Sequence, residues 1–309
     1  SEKAEGLALL VIKGEDIVFE KYHNGHSAEK PQHLYSGTKS FTGLMYCAAQ
    51  AEGLVKLDDK VKDLLPELHL WSEDTTLTIK HLLSLTSGYP PAPLRVAWDG
   101  MREKQWVKNK TAIALSRKPK MAPGERYRYG CTNFLLLGEI IKRKTKEDPL
   151  VYLEKKVLQP IGFRYAGWIR DPKGNPMFSF GCWTTAREWA KFGMLVRDDG
   201  LYKGKRIIPK GLIQKCLEGS SVMPAYGFTF WLNKKVPPKY QQDLIPKLQG
   251  PAKRGAVLYH RGPSDLVAAA GYNGNRCYAI PSMSLVIVRL GTNAWKFSDE
   301  KLLSLLLDD

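Results

Sequence analysis

Apolar residues recur along this chain with two different periods, and the places where the period changes mark its elements. Residues 6–22, GLALLVIKGEDIVFEKY, hold two apolar-rich runs around a Lys13-Gly14-Glu15-Asp16 turn. This pattern predicts a β-hairpin. From residue 40 to 54 the spacing becomes helical, with Phe41, Leu44, Met45 and Ala48 on one stripe and Gly53 near its end. Residues 57–68 read as a turn and a short helix stopped near Pro66, and residues 78–91 as a Thr-capped short helix ending in Ser87-Gly88 and two prolines. Residues 92–150 are expected to be mostly helical and include the apolar-striped TNFLLLGEIIKRKT at 132–145. A capped amphipathic helix is expected at 183–200. Near Gly255 the character changes to short strands at 256–261, 266–272, 276–280 and 284–291. Asn273-Gly274 supplies a tight turn between two of them, and a last helix spans 298–307.

Strands at both ends and helices between them predict an α+β fold. The N-terminal hairpin closes onto the C-terminal strands in one mostly antiparallel sheet. The expected organisation is a single domain over 1–309, with a sheet lobe of about 1–60 and 185–309 and a helical lobe of about 61–184. No repeat or low-complexity stretch interrupts it. The chain has 309 residues, 43% hydrophobic and 25% charged, the balance of a folded globular protein. No run of eighteen apolar residues is present, so no transmembrane segment is expected. The first residues are polar and lack an initiator Met, as in a trimmed or processed chain.

The formal charge of +16 favours anionic partners, such as an acidic cell-surface polymer. The basic residues are scattered, with local density at 142–146 and 104–120. Neither cluster carries a nucleic-acid-binding pattern, so no specific nucleic-acid partner is expected. The five cysteines, 47, 131, 182, 216 and 277, are odd in number and widely spaced, which argues against a disulfide framework or a structural zinc site. Cys47, in an apolar helical run, reads as a small core residue. His23, His26 and His33 fall in a Gly/Pro-containing loop and are read as surface residues, with no metal implied.

Ser-x-x-Lys occurs three times, at Ser27/Lys30, Ser36/Lys39 and Ser298/Lys301. Residues i and i+3 share a helix face, so a serine and its base can meet there. A serine at a helix N-terminus also has free backbone N–H groups near it for an oxyanion. Pro31 stops any helix after Lys30, and Ser298 reads as the N-cap of the last helix. Only Ser36 precedes a long apolar-striped helix. Burying an amine favours its neutral form, which can accept a proton from a neighbouring hydroxyl. The bland alternative is a helix cap followed by a solvated charge.

Two further stretches bear on the choice. PGERYRYGCTNFLLLGEII, 123–141, places Tyr129 in a polar turn just before a helix, where a phenol can relay a proton. AAAGYNGNRCYAIP, 268–281, is a small-residue strand against whose edge an acyl group can lie. Together with 78-TIKHLLSLTSGYP-90, 184-TTAREWAKFGMLV-196 and 226-YGFTFW-231, these resemble the serine hydrolases of the β-lactamase and penicillin-binding-protein superfamily, in particular the class C β-lactamase-like family. The resemblance covers nearly the whole chain and implies a β-lactamase/transpeptidase-like fold with no cofactor. It implies Ser36 as the acylated nucleophile, Lys39 as its proton acceptor or activator, and Tyr129 as a partner in proton traffic. The backbone N–H groups of Ser36 and Tyr272 would form the oxyanion hole. Cys131, Ala270, Gly271 and Asn273 would line the substrate. Export from a bacterial cell is implied as well.

The sequence departs from the family pattern at three places. Leu85 stands where the family has His. Cys131 replaces the Asn of Tyr-x-Asn, and a thiol is a poor hydrogen-bonding group. Ala269-Ala270-Gly271 replaces Lys-Thr-Gly, whose polar side chains hold a substrate carboxylate. Arg261 or Arg276 could restore a positive charge. The expected activity is therefore an acyl-enzyme hydrolase for a small ester or amide with an uncharged or apolar acyl group. The alternatives are a D-Ala-D-Ala carboxypeptidase or weak β-lactamase, and a catalytically silent binding protein on the same fold. Cys131 as nucleophile, with His260, is the weakest alternative.

Overall fold

Strand β1 (Gly6–Lys13) is buried from Gly6 to Ile12 and lies inside the main sheet between two partners. It forms the expected hairpin with β2 (Asp16–Tyr22) and pairs on its other side with the last strand, β11 (Leu285–Gly291), in register Leu10↔Val288. The sequence and the computed structural model thus agree on the closure of the two chain ends. The structure describes residues 5–68, 76–90, 109–241, 258–293 and 297–308. The sheet is antiparallel throughout, in the order β2-β1-β11-β10-β9-β8, with β8 at Trp231–Leu232, β9 at Val267–Ala270 and β10 at Arg276–Ile280. A small second sheet joins β3 (Gln32–His33), β5 (Cys182–Thr184) and β4 (Gly167–Trp168), and β6 (Leu201–Tyr202) pairs with β7 (Lys205–Arg206).

Helix α1 runs from Lys39 to Ala51 and is buried on every side from Lys39 to Ala49. A helix enclosed all round needs small or apolar residues on each face, and Ser40, Gly43, Cys47, Ala48 and Ala49 supply them. It packs among the helices Thr132–Thr145, Pro149–Leu153 and Leu212–Cys216. Gly53, at φ +70°, lies just beyond it, and Leu54 N–H donates to Ala49 O at 3.0 Å across the closing turn. The helix Ala186–Arg197, capped by Thr185, covers β1, β10 and β11. A methyl built on its Gly193 would stand 2.6 Å from Val286 Cγ1 and 2.7 Å from Cys277 Sγ, so the glycine sets how closely helix and sheet approach.

Three expectations are corrected. The described part of the predicted strand 256–261 is a turn, and β8 holds the sheet edge instead. Asn233 explains the difference. Its side chain accepts from Tyr259 N–H at 3.0 Å and donates to Tyr259 O at 3.0 Å, serving the backbone groups a neighbouring strand would otherwise use. The region 92–150 is less helical than expected. Residues 92–108 lie outside the described residues, and Arg117–Cys131 is a loop broken by Pro119, Pro123 and Gly124. His26 and His33, read as surface, are 9% and 1% exposed. The His33 ring stacks on Trp183 at 4.7 Å, and its Nε2 bonds to Phe180 O. The last helix, Asp299–Leu307, has Ser298 as its N-cap, with Ser298 Oγ accepting from Lys301 N–H at 3.3 Å.

Candidate active site

The chain leaves β3 through buried Leu34 and enters a 3₁₀ turn, Tyr35–Thr38, before α1 begins at Lys39. Tyr35 has φ +50°, a costly conformation for a bulky residue, held here by packing on both sides. Its ring lies 4.0 Å from that of His33 and edge-on to that of Tyr272 at 5.6 Å. Burial pushes the Tyr35 hydroxyl to a higher pKa, and Tyr272 adds to the effect. Thr38 Oγ1 accepts from Cys182 N–H at 3.1 Å and fixes the turn to β5. Ser36 is thereby presented half-buried at the head of a buried helix.

Lys39, one turn on, is 3% exposed. Its Nζ lies 3.1 Å from Ser36 Oγ and donates to Ser179 O at 2.6 Å. The same Nζ lies 4.8 Å from the centre of the Tyr129 ring and 5.3 Å from that of Phe134. The structure therefore brings Ser36, Lys39 and Tyr129 together, but Tyr129 meets Lys39 with its ring face. Among the described residues no hydrogen bond joins the Tyr129 hydroxyl to either partner. Ser179 had no signal in the sequence, since only its main-chain oxygen takes part.

The stretch 78–90 explains how Tyr129 is placed. It is a buckle for the loop before Tyr129. Arg128 N–H donates to Leu85 O at 2.8 Å, Gly124 N–H to Thr86 O at 2.7 Å and Lys120 N–H to Gly88 O at 2.9 Å. Ser87 Oγ donates to Asn133 Oδ1 at 2.8 Å, tying the buckle to the helix that follows Tyr129. Leu85 is fully buried at φ +59° beneath this loop. Tyr129 is half-buried beside an aromatic wall. Its ring centre is 6.2 Å from that of Trp231 and 6.3 Å from that of Tyr226, which are 5.0 Å from each other.

The end of β9 abuts the serine turn from the other side. A methyl built on Gly271 would stand 1.9 Å from Leu34 O and 3.1 Å from Gly37 N, so only glycine lets the strand end come so close. Ala270 is 9% exposed and Ala269 is 1% exposed, and neither side chain offers a polar group. Tyr272–Gly274 is a 3₁₀ turn, with Asn273 at φ +61° and its carbonyl accepting from Arg289 at 3.2 Å. Cys131 is half-buried as the N-cap residue of the Thr132–Thr145 helix. His260 is exposed, and its ring bonds to Glu300 at 3.0 Å, which gives no support to a Cys131–His260 pair.

Both arginines considered as a carboxylate clamp are engaged by other groups. Arg261 pairs with Asp308 on the surface. Arg276 is 1% exposed and points beneath the strand end, its Nε donating to Asp299 Oδ1 at 2.6 Å and its Nη1 to Gly271 O at 2.8 Å. Desolvation opposes its charge, but the Asp299 carboxylate outweighs it and holds the guanidinium above its usual pKa.

A buried helix with serine and lysine one turn apart, closed against the end of an antiparallel strand, defines the class of β-lactamase-like and penicillin-binding-protein-like folds. The Beta-lactamase family model matches residues 1–294, and the chain belongs to that family. The protein flp of Staphylococcus aureus (strain MRSA252) is 28% identical over 176 residues, covering 54% of this chain and 35% of that protein. The match thus spans about a third of the length of that curated relative. The octameric penicillin-binding protein homologue from Pyrococcus abyssi superposes with a TM-score of 0.72 at 23% identity, over 99% of this chain and 74% of that one. The D-stereospecific amidohydrolase from Streptomyces sp. superposes with a TM-score of 0.70 at 16% identity, over 99% and 94% of the two chains.

Proposed function

We propose that this protein is a serine hydrolase that works through an acyl-enzyme on a small ester or amide. The observation that carries the reading is the 3.1 Å contact between Lys39 Nζ and Ser36 Oγ, formed by a lysine that is 3% exposed. Ser36 Oγ attacks the acyl carbon while its proton passes to Lys39. The bond to the leaving group then breaks, and the alcohol or amine departs with that proton, Tyr129 sharing the transfer. Water then attacks the Ser36 ester by the reverse route, the bond from the acyl carbon to Ser36 Oγ breaks, the carboxylic acid leaves and the serine takes back its proton. The N–H groups of Ser36 and Tyr272 stabilise the oxyanion in both steps.

The acyl group accepted is uncharged or apolar. Ala269 and Ala270 offer no side-chain hydrogen bond, Arg276 is consumed by Asp299, and the ring beside Lys39 is Tyr129, backed by Tyr226 and Trp231. The hydrolase names among its structural neighbours accord with acyl transfer. The test uses a p-nitrophenyl short-chain ester, a chromogenic cephalosporin and a fluorescent penicillin, each followed by intact mass. Ester turnover that Ser36→Ala abolishes is expected. Equal turnover by Ser36→Ala defeats the nucleophile assignment, and faster opening of the cephalosporin moves the substrate to the β-lactam class. Absence of any covalent adduct or turnover leaves a silent binding protein.

A further inference from the structure

Arg276 has no place in the mechanism above, yet it is among the most buried side chains described, and two of its hydrogen bonds hold the strand end beside Ser36. Its Nη1 donates to Gly271 O at 2.8 Å and to Asn275 O at 2.9 Å. Its Nε and Nη2 grip both oxygens of Asp299, at 2.6 and 3.1 Å, and Tyr278 Oη donates to the same carboxylate at 2.6 Å. Asp299 stands in the first turn of the terminal helix. Asn275, fully buried, adds a second anchor. Its side chain donates to His33 O at 3.0 Å and accepts from Gly291 N–H at 2.9 Å, while Gly271 N–H donates to Asn275 O at 2.8 Å.

The carbonyl that Arg276 holds belongs to the same peptide unit as the N–H of Tyr272. No peptide bond among the described residues is cis. In a trans peptide the C=O and the N–H point in opposite directions. A guanidinium that fixes Gly271 O from beneath the sheet therefore turns Tyr272 N–H away from itself. On the other face lies the serine turn, toward which a methyl built on Gly271 would point, 1.9 Å from Leu34 O and 3.1 Å from Gly37 N. A charge-assisted bond to the carbonyl also polarises the peptide and makes its N–H a stronger donor.

We infer that Arg276, neutralised and oriented by Asp299, is a positioning residue that aims and polarises the Tyr272 N–H of the oxyanion hole. The inference rests on the serine hydrolase reading. A purely structural ion pair would also be buried and satisfied, so the variants must separate geometry at Gly271 from stability. Arg276→Lys keeps the charge but loses the fork that reaches Asp299 and the Gly271 carbonyl together. Tyr278→Phe removes one bond to Asp299 and leaves the contact with Gly271 in place.

Ester hydrolysis and thermal unfolding are measured for both. Arg276→Lys is expected to lower kcat by about 10- to 100-fold with little change in KM, as when an oxyanion donor is weakened. Tyr278→Phe is expected to lower Tm and keep kcat. Unchanged kcat in Arg276→Lys overturns the inference, as does an equal loss of kcat in Tyr278→Phe. A second measurement needs no variant and so stands if either fails to fold. The wild-type protein is treated with a fluorophosphonate, the Ser36 adduct is confirmed by mass, and amide protons are followed by NMR. The Tyr272 amide is expected to move downfield as its N–H bonds the phosphonyl oxygen. An adduct on Ser36 with an unmoved Tyr272 amide overturns the positioning role and leaves Ser36 as nucleophile. Absence of any adduct removes the hydrolase reading and this inference with it.

Discussion

Replacing Gly271 by alanine is the sharpest single test of how the two halves of the site meet. Gly271 has φ −117°, which any residue adopts, so the substitution carries no backbone strain of its own. Its whole effect comes from one methyl group, 1.9 Å from Leu34 O and 3.1 Å from Gly37 N, against ordinary contact beginning at 3.4 Å. Both neighbours are main-chain atoms of the serine turn and cannot swing aside. Strand end and serine turn must part by about 1.5 Å, at an overpacking cost of about 1–3 kcal/mol. A displacement of about 1 Å between reacting groups costs about 100-fold in rate. Gly271→Ala should therefore lower kcat for a p-nitrophenyl ester by about 100-fold or more, with a modest fall in Tm. Gly167→Ala, at a site with nothing within 4 Å of the added methyl, should leave both unchanged. A Gly271→Ala protein with wild-type kcat would refute the claim that the β9 end forms part of the site.

Three other outcomes follow from the same structure. Lys39→Met keeps the buried stem but removes the amine beside Ser36, and should lower acylation by about 10²- to 10⁴-fold in single-turnover assays; a smaller effect than tenfold removes Lys39 from proton transfer. Burial holds the pKa of His26, His33 and His81 below 6.5, so the unfolded chain takes up protons that the folded one refuses. Stability contributed by the neutral rings is present above that pH and falls as the pH drops through it; thermal scans from about pH 8 to about pH 5 should show falling Tm, and a flat profile contradicts the burial. Finally, burial pushes the thiols of Cys182 and Cys277 up, and Cys47 is raised first by its contact with Cys216 and then by desolvation. Iodoacetamide should label half-buried Cys131 first and reach Cys47, Cys182, Cys216 and Cys277 only on unfolding, as peptide mapping would show; simultaneous labelling would contradict the packing.

The hairpin, α1, the terminal helix and its Ser298 cap were legible in the sequence because their signals are local: period, cap and turn residues within a dozen positions. The Ser36–Lys39 pair was legible for the same reason. The misread strand at 256–261 shows where local signals end. Its apolar residues suit a strand, but Asn233, more than twenty positions away, satisfies the backbone of Tyr259 and holds a turn. Arg276 shows the same limit for charge. Its residue type suggested a clamp for substrate, whereas its register opposite Ala270 in β10 and the distant Asp299 decide that it faces inward. His33 read as a loop residue because the stacking partner, Trp183, comes from a strand about 150 positions on.

Among the described residues, the Lys39 amine and the Arg276 guanidinium beside the serine turn are both occupied, and this bears on the substrate. Lys39 serves Ser36 and Ser179 O, and Arg276 serves Asp299 and two carbonyls. A carboxylate-bearing substrate that drew either of them away would strand a buried partner, which costs about 1–3 kcal/mol or more. An apolar acyl group would break none of these bonds. The net charge of +16 acts in the opposite sense, by drawing anions toward the surface. The two effects separate with salt, because steering over exposed charges is screened and a buried hydrogen bond is not. At high ionic strength, kcat/KM for a neutral ester should therefore exceed that for its carboxylate-bearing analogue of matched length by about tenfold or more. Equal values would refute the preference for an uncharged acyl group.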